Sequence, residues 1–309
     1  MEILNKFFKF ITDSKYRFNI LASRGFFNNW SDEKFLKYKF KMIFGRELNI
    51  VNPQTFNEKL QWLKLYDRKP IYTTMVDKYE VKKYVADIIG EEYIIPTLGV
   101  WDRFEDIDFD KLPNQFVLKC THDSGGLVIC RDKAKFNYKA AKRKINKSLK
   151  RNYFWQGREW PYKNVKPRII AEKYMEDKKS PELIDYKFYC FNGEPRFLYV
   201  SVGLEEHSTA RISFVTFDWQ FAPFYREDFQ PFDTLPARPK NFNKMMEIAK
   251  KLSKGHTFLR VDLYEIEQQV YFSELTFHPS SGFMPFYPPE WNKKIGDWLI
   301  LPNKNKYLC

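Results

Sequence analysis

The stretch Phe258-Leu-Arg-Val-Asp-Leu-Tyr-Glu-Ile-Glu-Gln-Gln-Val-Tyr-Phe-Ser-Glu-Leu-Thr-Phe-His-Pro-Ser-Ser-Gly282 decides how the rest of the chain is read. Leu259, Val261 and Leu263 alternate with Arg260, Asp262 and Tyr264, the period of two expected of a strand with one buried face. Tyr271, Ser273 and Leu275 alternate with Phe272, Glu274 and Thr276 in the same way. A hairpin turning about Gln268 sets Asp262 across from Glu274, with Cβ atoms roughly 5 Å apart. Two such carboxylates repel each other, and a divalent cation would turn repulsion into coordination. Mg²⁺ takes one or two carboxylates and completes its shell from phosphates and water. Arg260 points to the same face and suits a phosphate or carboxylate. The same alternation equally suits the solvated face of an ordinary hairpin.

Composition narrows the class. A chain of 309 residues with 44% hydrophobic residues has enough material for a large core or two to three small ones. Thirty phenylalanines raise the aromatic share to 18%. No window of 18 uncharged apolar residues spans a membrane, and Lys6 and Lys9 interrupt the first apolar run, so no signal peptide is expected. Cys120, Cys130, Cys190 and Cys309 form no C-x-x-C pair, and His122, His207, His256 and His278 are scattered. Free thiols, a reducing compartment and no zinc site are expected. A net charge of +13 calls for an anionic partner. Nucleic acid is not the expected one, because no zinc-finger, RNP or helix-turn-helix signature is present.

Residues 1–70 read as a helical, basic region. Ile3, Leu4, Phe7, Phe8 and Ile11 fall at helical spacing with Lys6 and Lys9 away from them, a face for internal packing or for an anionic membrane surface. Ser31 and Thr55 start helices, and Gly45 ends the first. Residues 72–89 read as one helix ended by Gly90. Phe116-Val-Leu-Lys-Cys120 and Leu127-Val-Ile-Cys130 read as strands around the loop Thr121-His-Asp-Ser-Gly-Gly126, which could cradle a phosphate or be a plain turn. Residues 134–166 are very basic, and Ala140, Ala141, Ile145 and Leu149 among the lysines predict an amphipathic helix, a solvated face or a docking surface for acidic glycan or lipid. Residues 168–175 form a buried strand carrying Glu172. Asp185 and Lys187 share one face of a hairpin turned at Asn192-Gly193, another strand follows at 211–218, and helices follow at 242–252 and 290–299.

In this order, Asp77-Lys78, Ile95-Pro96, Val117-Leu-Lys119 with its glycine loop, Ile170-Ala-Glu172, Arg260-Val-Asp262 and Glu274-Leu-Thr276 with Ser280-Ser-Gly282 resemble the ATP-grasp fold. Asn57-Glu-Lys-Leu-Gln-Trp-Leu-Lys, Gly157-Arg-Glu-Trp, Asp185-Tyr-Lys-Phe and Phe191-Asn-Gly-Glu-Pro look like its TupA-like branch, named for teichuronopeptide synthesis and common in surface-polysaccharide gene clusters. The resemblance covers residues 52 to 302. It implies an α+β fold in which two subdomains, 71–170 and 171–309, grip ATP·Mg²⁺ behind the helical extension. Lys78 and Lys119 would hold phosphates, and Ser124, Gly125 and Gly126 would form the lid. Glu172, Lys173 and Tyr174 would meet adenine, Asp185 the ribose, and Lys187 another phosphate. Asp262, Glu274 and Thr276 would carry Mg²⁺. Arg260, with Lys119 and Lys187, would stabilise phosphoryl transfer. Arg158, Trp160, Arg211, Ser280 and Ser281 are the substrate-binding candidates. Thr276 departs from the family, where Asn often holds a second metal.

The implied activity is carboxylate–amine ligation through an acylphosphate, on a uronic acid with an amino acid as amine. The alternatives are a kinase acting on a glycan hydroxyl and a non-catalytic binder of acidic glycan or membrane surface. The cytoplasm is the expected location, with the inner face of the membrane as its variant.

Overall fold

The computed structural model describes residues 2–177, 182–203 and 209–303. Cys309 and His207 lie outside them, as do the side chains of residues 2–6, which include Ile3, Leu4 and Lys6. The N-terminal region comprises α1 (Glu2–Thr12), α2 (Ser14–Ser23) and α3 (Asp32–Phe44). Ser31 caps α3 by accepting from the Lys34 N–H, and Gly45 ends it in the left-handed conformation. Thr55 and Glu58 form a capping box at the start of α4 (Phe56–Tyr66).

The single helix expected over 72–89 is two: α5 (Ile71–Val76) and α6 (Glu80–Ile89). The break is local chemistry. Asp77 turns extended, and its Oδ1 accepts from the N–H groups of Tyr79 and Glu80, competing with the helical ladder. The freed Lys78 N–H donates to Thr121 O instead.

Nine strands make two antiparallel sheets among the described residues. The smaller runs β1-β4-β2-β3 and contains β1 (Thr97–Trp101), β2 (Phe116–Cys120), β3 (Leu127–Cys130) and β4 (Ile169–Lys173). The larger runs β7-β6-β5-β8-β9, from β5 (Asp185–Phe191), β6 (Glu194–Val202), β7 (Arg211–Val215), β8 (Phe258–Ile266) and β9 (Gln269–Thr276). The subdomain boundary expected at 170/171 falls inside β4, because that strand completes the smaller sheet.

The basic helix α7 (Tyr138–Leu149) covers the smaller sheet through Ala141 and Ile145. The short α8 (Phe154–Gly157) follows. The larger sheet is buried on both faces. Leu259, Val261, Leu263 and Phe188 face α5, α6 and α9 (Phe242–Ser253). Tyr189, Phe191, Phe197 and Phe258 face α4 and α10 (Trp291–Asp297), so the aromatic-rich composition is spent on this second core. Residues 56–66, expected in the helical extension, therefore belong to the body of the fold.

The β8–β9 hairpin turns at Glu267 and Gln268, both with positive φ. Asp262 pairs with Glu274 as expected, but a bulge makes it so. Leu263 pairs with Phe272, leaving Ser273 as the extra residue. Phe272 consequently shares the core face with Leu275 rather than alternating with it, and Ser273 joins Glu274 on the other.

Candidate functional site

Between the two sheets lies a cleft of about 900 Å³, lined by both. That volume suits a small ligand such as a nucleotide. On β2, Phe116, Leu118 and Cys120 go into the core, which turns Val117 and Lys119 toward the cleft. Ile95, Val117, Ile129 and Phe272 give it an apolar wall. Lys78, Lys119, Glu172, Lys173, Tyr174, Asp185, Lys187 and Glu274 line it together, as do Ser124 and Gly126 of the loop.

The charges are paired with one another. Glu172 accepts from Lys82 at 2.5 Å and Lys119 at 2.6 Å. Burial opposes its ionisation, but the two ammonium groups win and bring its pKa down to about 2. Lys187 is shared by Asp185 and Asp262, the latter at 2.8 Å. Arg260 grips Asp262 with two bonds of 2.7 and 2.6 Å and donates to Thr276 Oγ1 at 2.9 Å. Burial pushes Asp185 up to about 6, against the pull of Lys187. Glu274 is held loosely, 3.7 Å from Lys78 Nζ and 3.8 Å from Arg260.

Two buried acceptors in this wall have no hydrogen-bond partner among the described residues, Asp185 Oδ1 and Ser201 Oγ, on residues paired across β5 and β6. Orphaned polar atoms beside an apolar wall fit the hydroxyls of a ribose, and the lysines fit its phosphates. For Mg²⁺ the cleft presents the Glu274 carboxylate. Asp262 is fully buried with both oxygens engaged, and Thr276 is bound to Arg260. One carboxylate plus phosphate oxygens is a donor set that Mg²⁺ accepts.

The loop after β2 is held in shape by Asp123, which accepts from the Gly126 N–H at 3.0 Å and from Ser148. Lys78 Nζ donates to Asp123 O at 2.5 Å. Gly126 has no room for a side chain, since a Cβ would meet Cys120 Sγ at 2.5 Å and Ser148 Oγ at 2.7 Å. Gly125 is open, with nothing nearer than 3.9 Å.

The substrate candidates scatter. Arg158 is fully buried, donates to Phe27 O at 2.6 Å and stacks on Trp155, fastening α8 to the N-terminal helices. Trp160 packs on the main core. Arg211 sits on the edge strand β7 and donates to Pro231 O. Ser280 and Ser281 follow β9 in the left-handed conformation. Lys64 fastens that turn, donating to Ser281 O at 2.6 Å and Gly157 O at 2.7 Å. Burial pushes the Lys64 amine down to about 7. Nearby, Glu159 is buried with His278 Nδ1 at 3.8 Å, and burial raises the carboxyl and lowers the imidazole.

Sequence reading missed Lys82, Ser201, Lys64, Glu159 and His278. Lys64 and Glu159 lie inside the quoted stretches 57–64 and 157–160 without being singled out, and Lys82 lies in the first turn of the helix that follows Lys78.

Residues 58–300 match the profile of the family described as TupA-like ATPgrasp. No curated protein matches the chain. Among solved structures it is similar to a Bacillus anthracis D-alanine–D-alanine ligase complexed with ATP, at 18% identity, over 66% of this chain and 54% of that one, with a TM-score of 0.36. It is similar also to the Helicobacter pylori D-alanine–D-alanine ligase, at 13% identity, over 74% and 59%, with a TM-score of 0.42. A Staphylococcus aureus N5-carboxyaminoimidazole synthetase follows at 14%, over 66% and 44%, with a TM-score of 0.38. The chain spans about half the length of these three.

Proposed function

Because the chain belongs to the TupA-like ATP-grasp family, we propose that it is an ATP-dependent carboxylate–amine ligase, working in the cytoplasm on the carboxylate of a uronic acid in cell-surface polysaccharide, with an amino acid as the amine. The observation that carries this reading is the cleft wall, where Lys78, Lys82, Lys119 and Lys187 line the same cleft as Glu274, a carboxylate held only loosely by Lys78 and Arg260. Phosphoryl transfer asks a protein for positioning and charge neutralisation rather than covalent chemistry.

Lys78 and Lys119 would hold the phosphates, and the Ser124–Gly126 backbone would close over them. Asp185 and Ser201 would accept from the ribose hydroxyls, and the backbone of Lys173 and Tyr174 would meet the base. Glu274 would hold Mg²⁺, which when bound neutralises developing phosphate charge. Arg260, oriented by Asp262, would face the group in transfer. Phosphorylation turns a poor acylating carboxylate into a good one, and the amine then displaces phosphate. The net charge of +13 favours an acidic acceptor.

Thr276, its hydroxyl already taken by Arg260, favours a second reading: one metal and a kinase acting on a glycan hydroxyl. The fate of ATP separates the two. With Mg²⁺, ATP, uronic-acid glycans and amino acids, mass spectrometry should find ADP, free phosphate and an amide-linked acceptor. ADP with a phosphorylated acceptor and no free phosphate would make the protein a kinase. No turnover, with wild type and Glu274→Gln binding ATP equally poorly, would make it a non-catalytic binder.

A further inference from the structure

Helix α1 carries an apolar face that the fold does not use. Phe7, Phe8 and Ile11 are 64%, 68% and 56% exposed, and their spacing puts them on one side of the helix. Phe10 on the other side is half-buried. The helix packs chiefly against α2. Arg17 of α2 closes its C-terminal end, donating to Phe10 O at 3.2 Å and Ile11 O at 2.7 Å, so a guanidinium stands beside the apolar face. Lys9 is exposed on α1 itself, and exposed Lys15 follows one residue into α2. Among the described side chains of α1 and α2 and the link between them, the one acid is Asp13, which caps α2 by accepting from the Tyr16 N–H.

We propose that this face docks the protein onto an anionic lipid surface, with the rings of Phe7 and Phe8 and the Ile11 side chain in the acyl boundary and Lys9, Lys15 and Arg17 at the headgroups. An aromatic face flanked by basic residues is the pattern of a helix lying in a membrane interface. No helix of the described residues is long and apolar enough to cross a membrane, so the contact is peripheral. A second copy of the chain is the poorer occupant. Two molecules at +13 each repel, and a face one helix wide falls short of the roughly 1,200 Å² of a stable interface.

The test is co-sedimentation of the full chain with vesicles of phosphatidylcholine alone and of phosphatidylcholine mixed equally with phosphatidylglycerol. Binding is expected only to the mixed vesicles. The triple variant Phe7→Ser, Phe8→Ser, Ile11→Ser should lose it by roughly a hundredfold. Lys9→Glu should weaken it by about fivefold or more. Urea unfolding of each variant should match wild type, because α1 lies outside the main cores. The proposal is overturned if wild type ignores the mixed vesicles. It is equally overturned if the triple variant binds as well as wild type, which would move the contact to the basic face of α7. A wild-type dimer in sedimentation that the triple variant dissolves would give the face to a second copy and overturn it too.

Discussion

Glu172 is the counter-charge for two lysines, and its removal leaves both half-buried without their ion-pair partner. Glu172→Gln is therefore expected to lower the unfolding free energy at pH 7 by about 3 kcal/mol, measured in urea. The pH dependence has a definite sign. Folding carries this carboxyl from 4.5 down to about 2, worth about 3 kcal/mol. That contribution is complete above pH 4.5, where the unfolded chain is ionised as well, and is lost as the pH falls from 4.5 through about 2. The gap between wild type and variant should close over the same interval. Glu274 makes no bond that the fold needs. Glu274→Gln should leave unfolding within about 0.5 kcal/mol of wild type while lowering ATP turnover by roughly a hundredfold or more. Asp185→Asn and Ser201→Ala should each weaken ATP binding by about tenfold in calorimetry and affect a ligand without ribose, such as inorganic triphosphate, much less. The pairing of Asp262 with Glu274 was expected from a turn centred on Gln268, whereas the chain turns at Glu267 and Gln268 and the bulge at Ser273 restores the pairing. Ser201 and Lys64 were not legible. Ser201 meets Asp185 only through a bulge between Tyr189 and Cys190 that shifts the β5–β6 register by one residue, and the Lys64 partner, Ser281, lies 217 residues away beyond β9.

At the scale of elements, the sequence period was right about type and wrong where polar chemistry interrupts it. The apolar spacing of 72–89 is helical throughout, yet Asp77 breaks it with its own side chain. The Ser273 bulge is hidden for the same kind of reason. Alternation on either side of it is intact, and only packing shows that the phase has slipped by one residue. The loop after β2 offers a paired test. Gly126→Ala puts a methyl group against Cys120 and Ser148 and should cost roughly 2 kcal/mol together with most ATP affinity. Gly125→Ala meets open space and should stay within about threefold of wild type in binding. If the loop were an ordinary turn, both variants would bind ATP like wild type.

At the scale of the molecule, two sheets with separate cores face each other across the cleft, and residues between α5 and α6 reach both. The Lys78 N–H is fixed to the smaller sheet's loop, while its ammonium leans toward Glu274 on the larger sheet. A nucleotide touching both sheets should stabilise them together. At a hundred times its dissociation constant, ATP should add about 2.7 kcal/mol to unfolding in wild type, and Glu274→Gln should reduce that gain. Lys82 and Lys119 already share Glu172, and Lys187 already bridges two aspartates, so under the proposed function an arriving polyphosphate would meet three lysines that already have partners. Its capture would be an exchange of ionic partners, in which new contacts form as old ones relax. The heat of association should thus be small beside the number of lysines involved, and raising the ionic strength should weaken it less steeply than three unpaired ammonium groups would.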